Sequence, residues 1–77
     1  VTIASYDHIP LGQYRHFKGN LYELIEIAHH SETREPMAVY RALYGEKGLW
    51  VRPLPMFLET IQHDGRVLQR FQYIGKL

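Results

Sequence analysis

An all-β fold is predicted by three features of the sequence. Short runs rich in Val, Ile, Tyr, Phe and Trp recur along the chain. Glycine-containing turn signals separate them, at Lys18-Gly19-Asn20, Gly45-Glu46-Lys47-Gly48 and Asp64-Gly65. The chain has 77 residues and no cysteine, so one small core must hold it without disulfides, and a sheet of this size is best served by hiding its edges. These features together predict a small SH3-like barrel of five or six strands, with at most one short helical turn near residues 55–59.

In chain order, residues 1–11 mix apolar and polar residues without a period and read as an N-terminal arm, punctuated by Pro10 and Gly12. Residues 12–77 are then a single barrel domain. Gly12 to Phe17 is the first short strand, and Gly19-Asn20 turns it, because both residues tolerate positive φ. The run Leu21 to His30, "LYELIEIAHH", is apolar on neither face when read at period 2, and its Glu and Leu content also suits a helix. The preferred reading is a long bent strand with a bulge near Ile25-Glu26, which shifts the alternation by one residue. "HSETREP" is a polar turn, and Met37 to Tyr44 is a second long strand. Leu49 to Arg52 returns across the glycine-framed loop, with Leu49 and Val51 pointing one way and Trp50 and Arg52 the other. Pro53 and Pro55 end that strand. Met56 to Ile61 is a helical turn or a strand, and Val67 to Ile74 closes the chain as one last strand after Asp64-Gly65. The expected core is Val39, Leu49, Val51, Phe57 and Phe71.

The formal net charge of +1 excludes the strongly basic signature of a protein that coats DNA, while leaving room for a local basic patch. Six of the nine basic residues are arginine, which favours stacked or bidentate contacts. No apolar run approaches the roughly 20 residues that span a bilayer, and no signal-peptide pattern opens the chain, so a cytoplasmic protein without membrane partners is expected.

Four blocks, "YRHFKGNLYE", "IAHHSET", "VYRALYG" and "LWVRPLPMFLE", stand in this order between residues 14 and 59. With these blocks the sequence, from about Gly12 to Tyr73, resembles a bacterial family of small standalone domains of unknown function. The resemblance implies a small bacterial domain. It brings no assigned activity, cofactor or catalytic residue.

The residues themselves point to one candidate surface. Tyr14, Arg15, His16, Lys18, Tyr40, Arg41, Trp50 and Arg52 fall in three neighbouring strand candidates, and Arg15, His16, Lys18, Tyr40, Arg41, Trp50 and Arg52 are taken as ligand-binding. Aromatic rings among arginines suit a non-enzymatic module that holds a protein or peptide partner in an aromatic groove. The alternative is single-stranded nucleic acid, whose bases stack on such rings. Against both stands the plain reading of Tyr and Trp as core and of Arg stems as cover over them. Arg52, placed before Pro53 on the face of Trp50, is expected to stack on an aromatic ring or to bridge Glu23 or Glu59.

A third class is a small enzyme or metal protein built on the turn His29-His30-Ser31-Glu32-Thr33. His30 with Glu32 or Glu35 could supply a base and an orienting carboxylate. Adjacent His29 and His30 face opposite ways on a strand, however, and Ser, Glu and Thr in a short turn ordinarily cap backbone N–H groups. No catalytic residue, metal site or cofactor is therefore assigned. The sequence leaves the ligand and the oligomeric state open.

Overall fold

The computed structural model describes residues 8–76. It builds up from the hairpin signals. In the first hairpin, β1 (Gly12–His16) and β2 (Leu21–His29) run antiparallel. The His16 N–H donates to the Asn20 carbonyl at 2.8 Å and the Gly19 N–H to the His16 carbonyl at 2.7 Å. Gly19, at φ 105°, takes a conformation that a side chain would disfavour. β3 (Pro36–Ala42) pairs with β2, and β4 (Leu49–Pro53) with β3. A five-residue helix, α1 (Leu54–Leu58), follows at once, with Pro55 in its first turn where a missing N–H costs nothing. β5 (Thr60–His63) and β6 (Arg66–Gln69) form their own hairpin across Asp64 and Gly65, both at positive φ as a type I′ turn requires. β7 (Phe71–Gly75) returns to pair with β1.

The fold is all-β with one short helix, and the helix falls where the paired prolines place it. The strands do not close into a barrel. A five-stranded sheet has the order β4-β3-β2-β1-β7, and β5-β6 is a separate two-stranded sheet. The edges β4 and β7 are never joined by pairing because α1 sits in the open side of the curled sheet, and its Leu54 and Phe57 fill the space that closure would have filled. Val67 to Ile74 is likewise not one strand. It breaks at Arg70, whose N–H donates to the Glu59 carbonyl and whose carbonyl accepts from the Phe17 N–H.

The sheet curls at two irregularities. The β2–β3 register slips between Leu24 and Glu26, which is the bulge expected at Ile25-Glu26. Leu24 before it and Ile27 after it therefore both face inward, Leu24 opposite Tyr40 and Ile27 opposite Ala38. The β1–β7 register slips between Gln13 and Tyr14. There Gly12, at φ 133°, lies so close to β7 that a Cβ would stand 2.7 Å from the Gly75 carbonyl oxygen.

The core comprises Ile9, Tyr14, Leu24, Ala38, Tyr40, Leu54, Phe57 and Phe71. Phe57 is fully buried and stacks on Phe71 with centroids 4.3 Å apart. It meets Tyr14 edge-on at 5.2 Å and Tyr40 at 5.4 Å. Two of the expected core residues are misplaced: Leu49 and Val51 are 56% and 62% exposed. Their alternation with Trp50 and Arg52 is as read, but the inner face of β3 is Ala38, Tyr40 and Ala42, and the register sets Trp50 opposite Tyr40 and Arg52 opposite Ala38. Val39, facing Val51, is half-buried. Of the expected arm, residues 1–7 lie outside the described residues. Ile9 is anchored in the core and the Pro10 carbonyl accepts from the Tyr14 hydroxyl at 2.6 Å. Among the described residues no helix is long and apolar enough to cross a membrane.

Candidate binding surface

Strand parity divides the seven predicted ligand-binding residues. His16, Tyr40, Trp50 and Arg52 belong to the concave face that α1 half-covers. Arg15 and Arg41 belong to the convex face, on which Glu23 lies opposite Arg41. Lys18 stands in the turn, its N–H donating to His16 Nδ1 at 3.2 Å and its ammonium 5.8 Å from the Phe17 centroid. Tyr40 is core. Arg41 is tied down, its Nη1 donating to the Lys47 carbonyl at 3.0 Å. Arg15 lines a cleft of about 330 Å³ with His16, Phe17, Leu68 and Gln72, and Trp50 takes no part in it.

At the end of the concave face beyond α1, the residues form a bowl. Phe71 is the floor. His16 stands against it at 4.9 Å between centroids and Tyr22 at 5.5 Å. Tyr22 shares a hydrogen bond with Tyr44, hydroxyl to hydroxyl, at 2.7 Å. From the opposite edge of the sheet, Arg52 reaches over so that its guanidinium carbon lies 5.6 Å from the Phe71 centroid. The stacking alternative foreseen for Arg52 is the one realised. Of the two carboxylates named for it, Glu59 is held by Arg70 at 2.7 Å and Glu23 lies on the convex face opposite Arg41. Trp50, on the same face two residues before Arg52, is 58% exposed, with its indole leaning back over the bare backbone of Gly48.

The chain matches the family described as a protein of unknown function, DUF1653, over residues 12–73. It belongs to the DUF1653 family. A solved structure of a DUF1653 protein from Bordetella bronchiseptica is similar throughout, with 32% sequence identity, a TM-score of 0.86, and coverage of 95% of this chain and 96% of that one. No curated protein matches the chain.

In this DUF1653 domain the electrostatics of the bowl are one-sided. Burial holds the His16 imidazole below its ordinary pKa of 6.5, and the positive charges of Arg70, Arg52 and Lys18 press it in the same direction. Tyr22 is pushed up to about 12, first by burial and then by its bond to Tyr44, against a small opposing effect of Arg52. Tyr22, Tyr44 and Phe71 were not among the residues read as ligand-binding from the sequence, Phe71 being expected in the core, where it is. The signal for Tyr22 was there, since the Gly19-Asn20 turn sets it directly opposite Tyr14. Phe71 joins only through the β1–β7 pairing, which no local pattern announces.

The "HSET" turn has structural work for its side chains. His30 Nδ1 accepts the N–H groups of Glu32 and Thr33 at 3.2 and 3.3 Å, and Thr33 Oγ1 accepts that of Glu35 at 3.3 Å. Arg34 completes the turn at φ 65°. Among the described residues no three His, Cys, Asp or Glu side chains group as metal ligands.

Proposed function

We propose that this domain is a non-enzymatic binding module for a protein partner, which lays an extended segment along the free edge of β4 with Trp50 as its anchor. The observation that carries this reading is the run Leu49-Trp50-Val51. Three consecutive apolar residues, all more than half exposed, lie on a strand that, among the described residues, has a neighbour on one side only. Exposed edges are ordinarily blunted by charge, proline or cover; here Arg52 and Pro53 do so at the end of β4, while Leu49 to Val51 carry neither charge nor proline. An added strand would satisfy the edge backbone groups and bury alternate side chains. Tryptophan is the residue type that most often dominates such contacts. The cations Arg41, Lys47 and Arg52 on and beside β4 favour an acidic segment over a second copy, since two copies would bring these charges together.

Selection of heptapeptides from a random display library against the domain tests this. Enriched peptides should be extended and acidic, should shift the β4 amide resonances, and should fail on Trp50→Ala. Peptides that bind equally well to Trp50→Ala, or that shift resonances elsewhere, contradict it. A dimer paired through β4 in sedimentation would replace the partner with a second copy.

Single-stranded nucleic acid is the second reading, favoured by the co-facial Trp50, Arg52 and His16. The other two arginines of the candidate set lie on the opposite face, so the cations do not track one groove. A steep loss of affinity with salt would nevertheless mark phosphate contacts.

A further inference from the structure

We propose that the bowl formed by His16, Tyr22 and Arg52 over Phe71 is a seat for an anionic carboxylate, and that an aspartate or glutamate side chain of the partner segment occupies it. The inference rests on the strand-addition reading and specifies its chemistry.

Three arginines of this domain show the contrast. Arg70 has Glu59 and Arg41 has the Lys47 carbonyl. Arg52 is half-buried and has, among the described residues, neither an ion pair nor a hydrogen bond; its interaction is with the Phe71 ring. Five N–H donors of a permanent cation thus have no protein partner among the described residues. His16 adds another donor. Because Nδ1 accepts the Lys18 N–H, the neutral ring carries its proton on Nε2. The charged groups acting on the imidazole are Lys18 from the turn, Arg52 from β4 and Arg70 from between β6 and β7, all positive, with Tyr22 of β2 as the titratable neighbour.

The strand geometry says how the acid arrives. A segment paired on β4 presents alternate side chains to the concave face, within about 5 Å of the residue opposite at the Cβ positions. One such side chain lies against Trp50 and the next, two residues along, against Arg52. The ligand pattern is therefore an apolar or aromatic residue, any residue, then an acid, in either chain direction. A planar carboxylate matches one guanidinium bidentately. A phosphate is ordinarily cradled by several cations or backbone N–H groups, and the bowl offers one free guanidinium.

The test is an NMR titration of the ¹⁵N-labelled domain at constant ionic strength, read at the Arg52 Nε–H and the His16 ring. Blocked glutamate (N-acetyl, C-amide) should shift both signals and raise the His16 titration midpoint. Blocked glutamine should do neither. Arg52→Gln should weaken the glutamate effect about tenfold or more, as loss of a charged hydrogen-bonding partner does, while Arg15→Gln on the convex face leaves it unchanged. A response to N-acetylglycine but not to blocked glutamate would assign the seat to a chain terminus and overturn the side-chain proposal. A response to inorganic phosphate alone would overturn the carboxylate. No response to any probe removes the seat, whereas strand addition at β4 stands or falls on its own amide shifts.

Discussion

The two aromatic regions of this domain use similar residues to opposite ends. Under α1, Phe57, Phe71, Tyr14 and Tyr40 interlock at 4.3 to 5.7 Å between centroids and exclude water. At β4, one strand away from Tyr40, Trp50 lies in solvent beside Leu49 and Val51. Residue type does not separate the two; cover does. α1 extends over one end of the concave face and stops at Glu59, where the chain returns to an extended conformation. Burial of the first group drives folding, and exposure of the second leaves apolar area uncovered, the area that the proposed partner would bury.

That contrast is broken most forcefully at Phe57. Phe57→Ala should cost about 3–5 kcal/mol through the cavity left against Phe71 and Tyr14, a large part of the stability of a domain this size. Urea denaturation of the variant measures it, and a cost below about 1 kcal/mol would mean that α1 is not the lid of the core. Gly12→Ala comes next. A methyl group would collide with the Gly75 carbonyl at a positive φ, and a loss of about 1–3 kcal/mol in the same assay is expected.

Arg52→Ala should be mild by comparison. Its cation–π contact with Phe71 is worth about 0.5–1 kcal/mol, and no carboxylate among the described residues is stranded by its removal. A melt showing an unfolded protein would return Arg52 to the architecture. The same variant should raise the His16 midpoint, read by NMR, toward its ordinary value, since one of the repelling cations is gone.

The pH dependence has a sign at each end. His16 binds its proton less readily folded than unfolded, so its contribution to stability is present above pH 6.5 and is lost as the pH falls from there toward the depressed value. Tyr14 and Tyr22, both raised from 10 to about 12, hold their protons more tightly folded. Their contribution is present below pH 10 and is lost as the pH rises from 10 toward 12. Denaturant midpoints across both ranges should show these slopes, and a flat profile would contradict the burial of the three groups.

Much of this was legible in the chain. Turn chemistry at Gly19-Asn20, Gly45 to Gly48 and Asp64-Gly65 marked the hairpins, the two prolines marked α1, and the broken alternation of "LYELIEIAHH" marked the β2 bulge. Closure was not legible, because whether β4 meets β7 depends on what fills the open side of the curled sheet, and Leu54 and Phe57 do so from a helix. Nor was the inner face of β4. Leu49 and Val51 are the better core residues by composition, yet the small Ala38 and Ala42 beside Tyr40 make the other face of β3 the one that curls inward and carries Trp50 and Arg52 with it. The candidate set was read from three strands without their parity, so Arg15 and Arg41 were grouped with residues on the opposite side of the sheet.

The smallest expected effect on folding is at Trp50, where replacement by alanine should change stability by no more than about 0.5 kcal/mol. Trp50 is the sole tryptophan of the sequence, so its fluorescence reports the central claim without any substitution. In the free domain its emission should be that of a solvated indole, readily quenched by iodide. On saturation with a library-selected acidic peptide it should move to shorter wavelength and become protected from quenching. Emission that is already blue and unquenchable in the free protein, or that stays unchanged at peptide saturation, would contradict the assignment of Trp50 to a binding surface.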